Sequence, residues 1–250
     1  MMNRKVYDAI MQNFSDKKKQ YWILLDPDDF SKDEAANLVL TAQNCGVDAA
    51  LIGGSLVHTD CLENFIGRIK EKSPLPIILF PGDASQIAKN ADAILFMSLV
   101  SGRNPDFLIG QQVKGAVQIA KSKVEPISMA YMLVESGSVT SVEFMSDTRP
   151  LPRDKSNIAV AHALAAQFLG MSMIYLEAGS GAKLSVPDEM VAAVKKSVNI
   201  PVIVGGGIRD AQTAKQKLLA GADIIVTGNL LSSPDGLEEM TKIANTVKCA

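Results

Sequence analysis

The chain has 250 residues, 47% hydrophobic and 21% charged, and its 25 basic and 27 acidic side chains give a formal net charge of −2. That is enough apolar material for one sizeable core, and the near-neutral balance argues against general nucleic-acid affinity, which needs a concentrated positive surface. Cys45, Cys61 and Cys249 never stand in CxxC spacing and read as free thiols of a reducing, cytoplasmic compartment, while two histidines, His58 and His162, exclude a multi-histidine metal site by count.

From the N-terminus, "MMNRKVYDAIMQNF" carries charge but no long apolar core or small-residue cleavage site, so no secretory signal is expected. Short apolar runs follow, separated by longer amphipathic segments. They predict strands at 22–25, 49–52, 77–80, 93–97, 127–134, 173–176, 202–204 and 224–226. Helical periodicity marks "KDEAANLVLTAQNCG", "VPDEMVAAVKKSVN" and "DAQTAKQKLLAGA". Ser31 and Asp210 stand where N-caps belong, with Asp29 as an acidic alternative for the first helix; Gly46 and Gly221 stand where C-terminal glycines belong. Residues 158–176 carry no formal charge, which is long enough to suggest a membrane span. The window nevertheless contains His162, Gln167, Gly170 and Ser172 and changes texture at Gly170, so a buried helix running into a buried strand is expected.

Continuous apolar strands are those buried on both faces, as in parallel sheets. Eight strand–helix units in about 250 residues fit a single-domain (β/α)8 TIM barrel of the α/β class; the competing architecture is an open doubly wound sheet. The barrel is preferred because polar or glycine residues follow nearly every strand, including Asp26, Gly53, Gly82, Ser98, Glu135, Glu177, Gly205 and Gly228. A barrel gathers all those strand ends around one mouth. The stretch 135–157 reads as a long irregular loop, of a length usually retained for function.

Three glycine-bearing turns, "EAGSGA", "VGGGIRD" and "VTGNLL", follow the last three expected strands. Glycine exposes backbone N–H groups and admits close approach of a ligand, and the last turns of a barrel commonly cradle phosphate. Strand one ends "LLDPDDF", placing Asp26 at the mouth; "IGGS" places Ser55 across from it. Hard oxygen donors of this kind suit Mg²⁺, which completes its shell with water and substrate phosphate. His58 and His162 read as structural for want of a partner motif, and Met11, Met129, Met132, Met145, Met171 and Met173 read as core fillers.

The combination "LLDPDDF", "LIGGS", "RPLPRDKSNIA", "YLEAGSGA", "VIVGGGIR" and "VTGN" resembles the geranylgeranylglyceryl phosphate synthase family, the PcrB-like prenyltransferases, over nearly the whole chain. The resemblance implies a Mg²⁺-dependent TIM-barrel enzyme that joins sn-glycerol 1-phosphate to an all-trans polyprenyl diphosphate through an ether bond; geranylgeranyl diphosphate is the expected donor, with a longer prenyl chain as the alternative. It implies an acceptor site at Tyr175, Leu176, Glu177, Ala178, Gly179, Ser180, Gly181, Gly206, Gly207, Gly228 and Asn229, a metal site at Asp26 and Ser55, and a homo-oligomer. One branch of the family carries a lysine two positions before the strand-one aspartate; here that position is Leu24, which resembles the other, larger-oligomer branch. Arg149, Arg153 and Lys155 are then candidate supplementary cations.

On their own chemistry, Glu177 can accept the proton of a glycerol hydroxyl, and Tyr175 can orient the glycerol or stabilise positive charge. A prenyl tail needs an apolar groove, for which Phe80, Phe96, Leu99, Tyr131 and Leu133 are candidates. Two other readings share the glycine turns: a sugar-phosphate isomerase or aldolase, and a non-catalytic phosphate-binding scaffold. No expected strand carries the lysine that Schiff-base aldolases need.

Overall fold

The computed structural model describes residues 4–57, 62–233 and 235–250; His58 and Cys61 lie outside them. Eight parallel strands close into a barrel in chain order: β1 (Gln20–Leu25), β2 (Ala49–Ile52), β3 (Ile77–Leu79), β4 (Ala93–Leu99), β5 (Glu125–Leu133), β6 (Met173–Glu177), β7 (Val202–Gly205) and β8 (Ile224–Thr227). Pairing of β1 with β8, from Gln20 opposite Ile224 to Ile23 opposite Thr227, completes the ring and excludes the open sheet. The helices are α1 (Lys5–Ser15), α2 (Lys32–Cys45), α3 (Leu62–Lys72), α4 (Gln111–Ser122), α5 (Ser141–Ser146), α6 (Ser156–Phe168), α7 (Asp188–Ser197), α8 (Ala211–Leu219) and α9 (Gly236–Lys248).

The two-residue strand period sorts side chains into two layers. Trp22, Leu51, Ile78, Leu95, Met129, Tyr131, Met173, Tyr175 and Ile203 fill the barrel interior. Tyr21, Ile23, Leu25, Ile52, Ile174, Leu176 and Val204 face outward, where the helices cover them. Ser31 closes α2 with a full capping box: its hydroxyl accepts from Glu34 N–H while its own N–H donates to the Glu34 carboxylate. Asp29 lies in the preceding turn and is not the cap. Asp210 caps α8, and Gly46 takes the left-handed conformation after α2.

Three sequence expectations need correction. The β3–β4 connection, residues 80–92, contains no α-helix, so the third unit is not a strand–helix pair. Pro81 and Gly82 start it, the Asp83 carboxylate takes the Ser85 N–H at 2.7 Å, and Gln86 Oε1 takes the Gly82 N–H; such local bonds compete with a helix. Second, the stretch 135–157 is not irregular throughout: it contains α5, starts α6, and forms a parallel bridge between Val134 and Leu151. Third, Met145 is 46% exposed, whereas Met129, Met132 and Met173 are buried as expected.

Helix α1 was not anticipated. It lies across the N-terminal end of the barrel, where Ile10 joins the interior cluster. Glu125, at the start of β5, accepts the Val6 and Tyr7 N–H groups at 2.9 and 2.8 Å, capping this helix from 118 residues away. The window 158–176 divides into α6 and β6, and among the described residues no helix is long and apolar enough to cross a membrane.

Candidate active site

A cavity of about 690 Å³ occupies the C-terminal mouth of the barrel. Its wall brings together Asp26, Ser55, Tyr175, Glu177, Gly179, Ser180, Gly181, Gly206, Gly207, Gly228 and Asn229, contributed by the ends of five strands. Leu176 and Ala178, the remaining expected acceptor-site residues, turn their side chains into the outer layer. Strand geometry explains the division: Met173, Tyr175 and Glu177 are two apart on β6 and share its inner face.

Glu177 is 5% exposed, and burial raises its carboxyl pKa from 4.5 to about 7, against the lowering effect of the Gly179 N–H hydrogen bond and of the nearby Tyr175 hydroxyl and Ala178 N–H. The Gly179 bond is 2.6 Å long. Burial, then the charge of Glu177, holds the Tyr175 phenol well above the ordinary tyrosine value. The Tyr175 hydroxyl is close enough to Glu177 for each to influence the other, yet it completes no hydrogen bond of good geometry. It is a buried donor at the wall of a cavity, a position that a ligand oxygen can satisfy.

Around the carboxylate, the glycine turns form a nest of backbone N–H groups. Gly206 has φ +78°, and a Cβ there would overlap Glu177 Oε1 and stand 2.7 Å from the Gly179 nitrogen. The N–H groups of Ser180, Gly181, Gly206 and Gly207 make no backbone hydrogen bond among the described residues. Ser180 Oγ donates to Asn229 Oδ1 at 2.8 Å, tying the sixth and eighth turns together. Arg209, which sequence reasoning passed over although it directly follows the GGGI run, lines the same cavity and donates to the Ala182 carbonyl at 2.8 Å. The cations proposed from sequence lie elsewhere. Arg153 spans the Glu135 and Ser185 carbonyls, Lys155 pairs with Asp154, and Arg149 is exposed.

Opposite the nest, the Asp26 carboxylate packs against Gly54 so closely that a Cβ at position 54 would overlap its Oδ2. Asp26 also accepts the Asp28 N–H at 3.1 Å. Asp26, Asp29 and Ser55 offer only hard oxygen donors, a set that fits Mg²⁺ sharing its shell with water and substrate phosphate. Among the described residues no group of three or more His, Cys, Asp or Glu forms a preassembled metal cage.

A second cavity of about 230 Å³ adjoins the first, sharing Gly54, Ser55, Leu56, Phe80, Tyr131, Val142 and Met145 with it. It runs between α4 and the helix-free segment 80–92, past Ile87, Phe96, Leu99, Gly115 and Ile119. Four of the five groove residues expected from sequence line it; Leu133 is instead buried in the barrel interior. Phe80, Tyr131 and Tyr175 stack at the junction, with ring centroids 5.5–6.1 Å apart. His162 stays away from the mouth, bonded to the Ile158 carbonyl and to Arg103.

A nest of backbone N–H groups joined to an apolar groove at the mouth of a closed barrel is the geometry of an enzyme that takes a small polar ligand together with an apolar one. The chain matches the PcrB family over residues 14–248 and belongs to it. It is 47% identical over 234 residues to geranylgeranylglyceryl phosphate synthase of Pyrococcus horikoshii, covering 93% of this chain and 91% of that protein. Among solved structures, (S)-3-O-geranylgeranylglyceryl phosphate synthase from Thermoplasma acidophilum, in complex with its substrate sn-glycerol-1-phosphate, superimposes with a TM-score of 0.93 at 36% identity over the whole of both chains. The Thermoplasma volcanium enzyme gives a TM-score of 0.92 at 35% identity, covering 98% of each chain.

Proposed function

We propose that the chain forms an ether bond between sn-glycerol 1-phosphate and geranylgeranyl diphosphate, with the acceptor phosphate on the glycine nest and the prenyl tail in the groove beside α4. The observation that carries this reading is the continuity of the two cavities at Phe80 and Tyr131, which lets a hydroxyl held near Glu177 meet an allylic carbon entering from the groove.

The acceptor would lie with its phosphate on the N–H groups of Ser180, Gly181, Gly206 and Gly207 and beside Arg209, and its glycerol hydroxyls facing Glu177. The allylic carbon–oxygen bond breaks with its electron pair leaving on the diphosphate. The glycerol oxygen bonds to that carbon, and its proton passes to a Glu177 carboxylate oxygen. A carboxyl pKa near 7 suits this work, because the group is substantially ionised at neutral pH and still basic enough to take a proton. The π faces of Phe80, Tyr131 and Tyr175 border the carbon where positive charge develops. Asp26, with Ser55, would hold Mg²⁺, which when bound neutralises the departing diphosphate. The groove walls exclude water that would compete with the hydroxyl, and each methylene-sized group they bury is worth about 0.8 kcal/mol of donor affinity.

Incubation with Mg²⁺, either enantiomer of glycerol phosphate and a ladder of polyprenyl diphosphates, followed by mass spectrometry, tests the reading. The expected product is the twenty-carbon ether of glycerol 1-phosphate, with glycerol 3-phosphate a poor acceptor. Absence of any prenyl ether from folded protein would refute it.

A further inference from the structure

Thr140 stands in the N-cap position of α5, with the extended backbone (φ −104°, ψ 163°) from which a threonine hydroxyl ordinarily accepts a helix N–H. It makes no such bond. The residue is 6% exposed and lines the main cavity, and Oγ1 has no hydrogen-bond partner among the described residues. Its side chain turns instead against the loop after β6: a Cβ on Gly179 would stand 2.5–2.8 Å from Thr140 Cγ2, Cβ and Oγ1.

A buried hydroxyl without a partner is unfavourable, and a valine of the same shape would fill the space without that cost. Only four side-chain polar atoms are buried and unpartnered among the described residues, and two of them, Thr140 Oγ1 and Tyr175 Oη, belong to the wall of this one cavity. Both adjoin the short run from Glu177 to Gly179, Tyr175 through the carboxylate and Thr140 through the glycine. A local capping preference that goes unmet at the edge of a binding cavity is the pattern expected where a ligand supplies the missing partner.

We propose that the Thr140 hydroxyl is a substrate-binding group that donates to the phosphate-bearing acceptor on the Gly179 side of the nest, fixing the acceptor against Glu177. This rests on the acceptor site proposed above and adds a residue from the β5–α5 connection to it. Thr140 does not exchange protons with the reacting atoms; it positions the acceptor, so its loss raises KM for that substrate and leaves KM for the prenyl donor unchanged.

The test compares Thr140→Val, which keeps the shape, with Thr140→Ser, which keeps the hydroxyl. Binding of glycerol 1-phosphate is measured by calorimetry, and thermal unfolding is followed on the free protein. Thr140→Val is expected to weaken binding about tenfold, as loss of a hydrogen bond to a charged group does. Its free-protein Tm should be unchanged or higher, because an orphaned hydroxyl has been removed. Thr140→Ser should bind within about threefold of wild type. Wild-type affinity in Thr140→Val, or a lowered Tm restored by serine with no change in affinity, would overturn the proposal by showing a structural cap. Gly206→Ala and Arg209→Ala serve as controls on the site itself. If neither weakens binding, the acceptor site is misplaced; if both do and Thr140→Val does not, only the role of Thr140 fails.

Discussion

Glu177 Oε1 accepts the Gly179 N–H at 2.6 Å, so the carboxylate that ends β6 also shapes the loop that follows it. One oxygen of the group is committed to the loop. The carboxylate remains buried among Tyr175, Gly205 and Gly206, where any side chain at 205 or 206 would collide with the pair. The site is therefore rigid at the atom expected to take the proton, and its electrostatics follow from that burial.

The raised pKa of Glu177 makes stability depend on pH. The unfolded carboxyl ionises near 4.5 and the folded one near 7, so between these values the folded state binds more protons than the unfolded. Stability therefore falls as pH rises from about 4.5 to 7 and stays lower above that, by roughly 3 kcal/mol if the whole shift is realised. Glu177→Gln should raise Tm at pH 8 and have little effect at pH 4.5. A Tm difference independent of pH would show that Glu177 does not titrate in this range.

Activity should move with the same group in the opposite direction. The value of kcat/KM for the acceptor is expected to rise with pH through about 7 as Glu177 ionises in the free enzyme. The acceptor's own phosphate ionises near 6 as monoesters do, so the contribution of Glu177 is read from the profile of Glu177→Gln, whose residual activity should lack the inflection near 7.

Gly206→Ala should damage the nest directly. The added methyl overlaps Glu177 Oε1 and crowds the Gly179 and Ala178 nitrogens, and alanine strains the positive φ of +78°. A loss of about 1–3 kcal/mol in stability is expected from the backbone alone. Glycerol 1-phosphate affinity, measured by calorimetry on protein that remains folded, should fall more than tenfold.

Gly115→Leu addresses the groove and leaves the nest untouched. Gly115 lies on α4 with Ile87 Cδ1 3.3 Å from where its Cβ would be, facing the helix-free segment across the groove. A leucine there would fill the space in which the tail is proposed to lie. KM for the twenty-carbon donor should rise at least tenfold, and for a ten-carbon donor much less, while KM for the acceptor stays constant.

Glu125→Ala tests the opposite end of the barrel. Removing the carboxylate frees the Val6 and Tyr7 N–H groups and detaches α1 from β5. The cost is about 2–4 kcal/mol, from two charge-assisted bonds, and roughly 5–15 °C in Tm for a domain of this size. Substrate KM values should not change.

The barrel was legible because its evidence is local: buried strands read as apolar runs, and the glycine turns and Asp26 sit immediately after them. The same logic placed Tyr175 and Glu177 together at the mouth. Helix α1 went unread although Tyr7, Ile10, Met11 and Phe14 have helical spacing, and its capping partner Glu125, 118 residues distant, could not be read from sequence. The missing helix between β3 and β4 was concealed by counting units, although Pro81-Gly82 and Asp83 signal a turn-rich segment. Without a helix there, the outer face of the sheet opens into the groove, so the least regular part of the barrel is where the tail is proposed to lie. Arg209 was visible beside GGGI, whereas Thr140 carries no signal of its own: only the fold brings it against Gly179.

The most direct test of the central claim is a crystal structure with glycerol 1-phosphate and an unreactive geranylgeranyl thiodiphosphate bound together. The acceptor phosphate should lie on the amides of Ser180, Gly181, Gly206 and Gly207, a glycerol hydroxyl should contact Glu177, and the tail should pass Phe80 and Tyr131 into the groove between α4 and residues 80–92. A tail lying outside that groove, or a glycerol turned away from Glu177, would contradict the account.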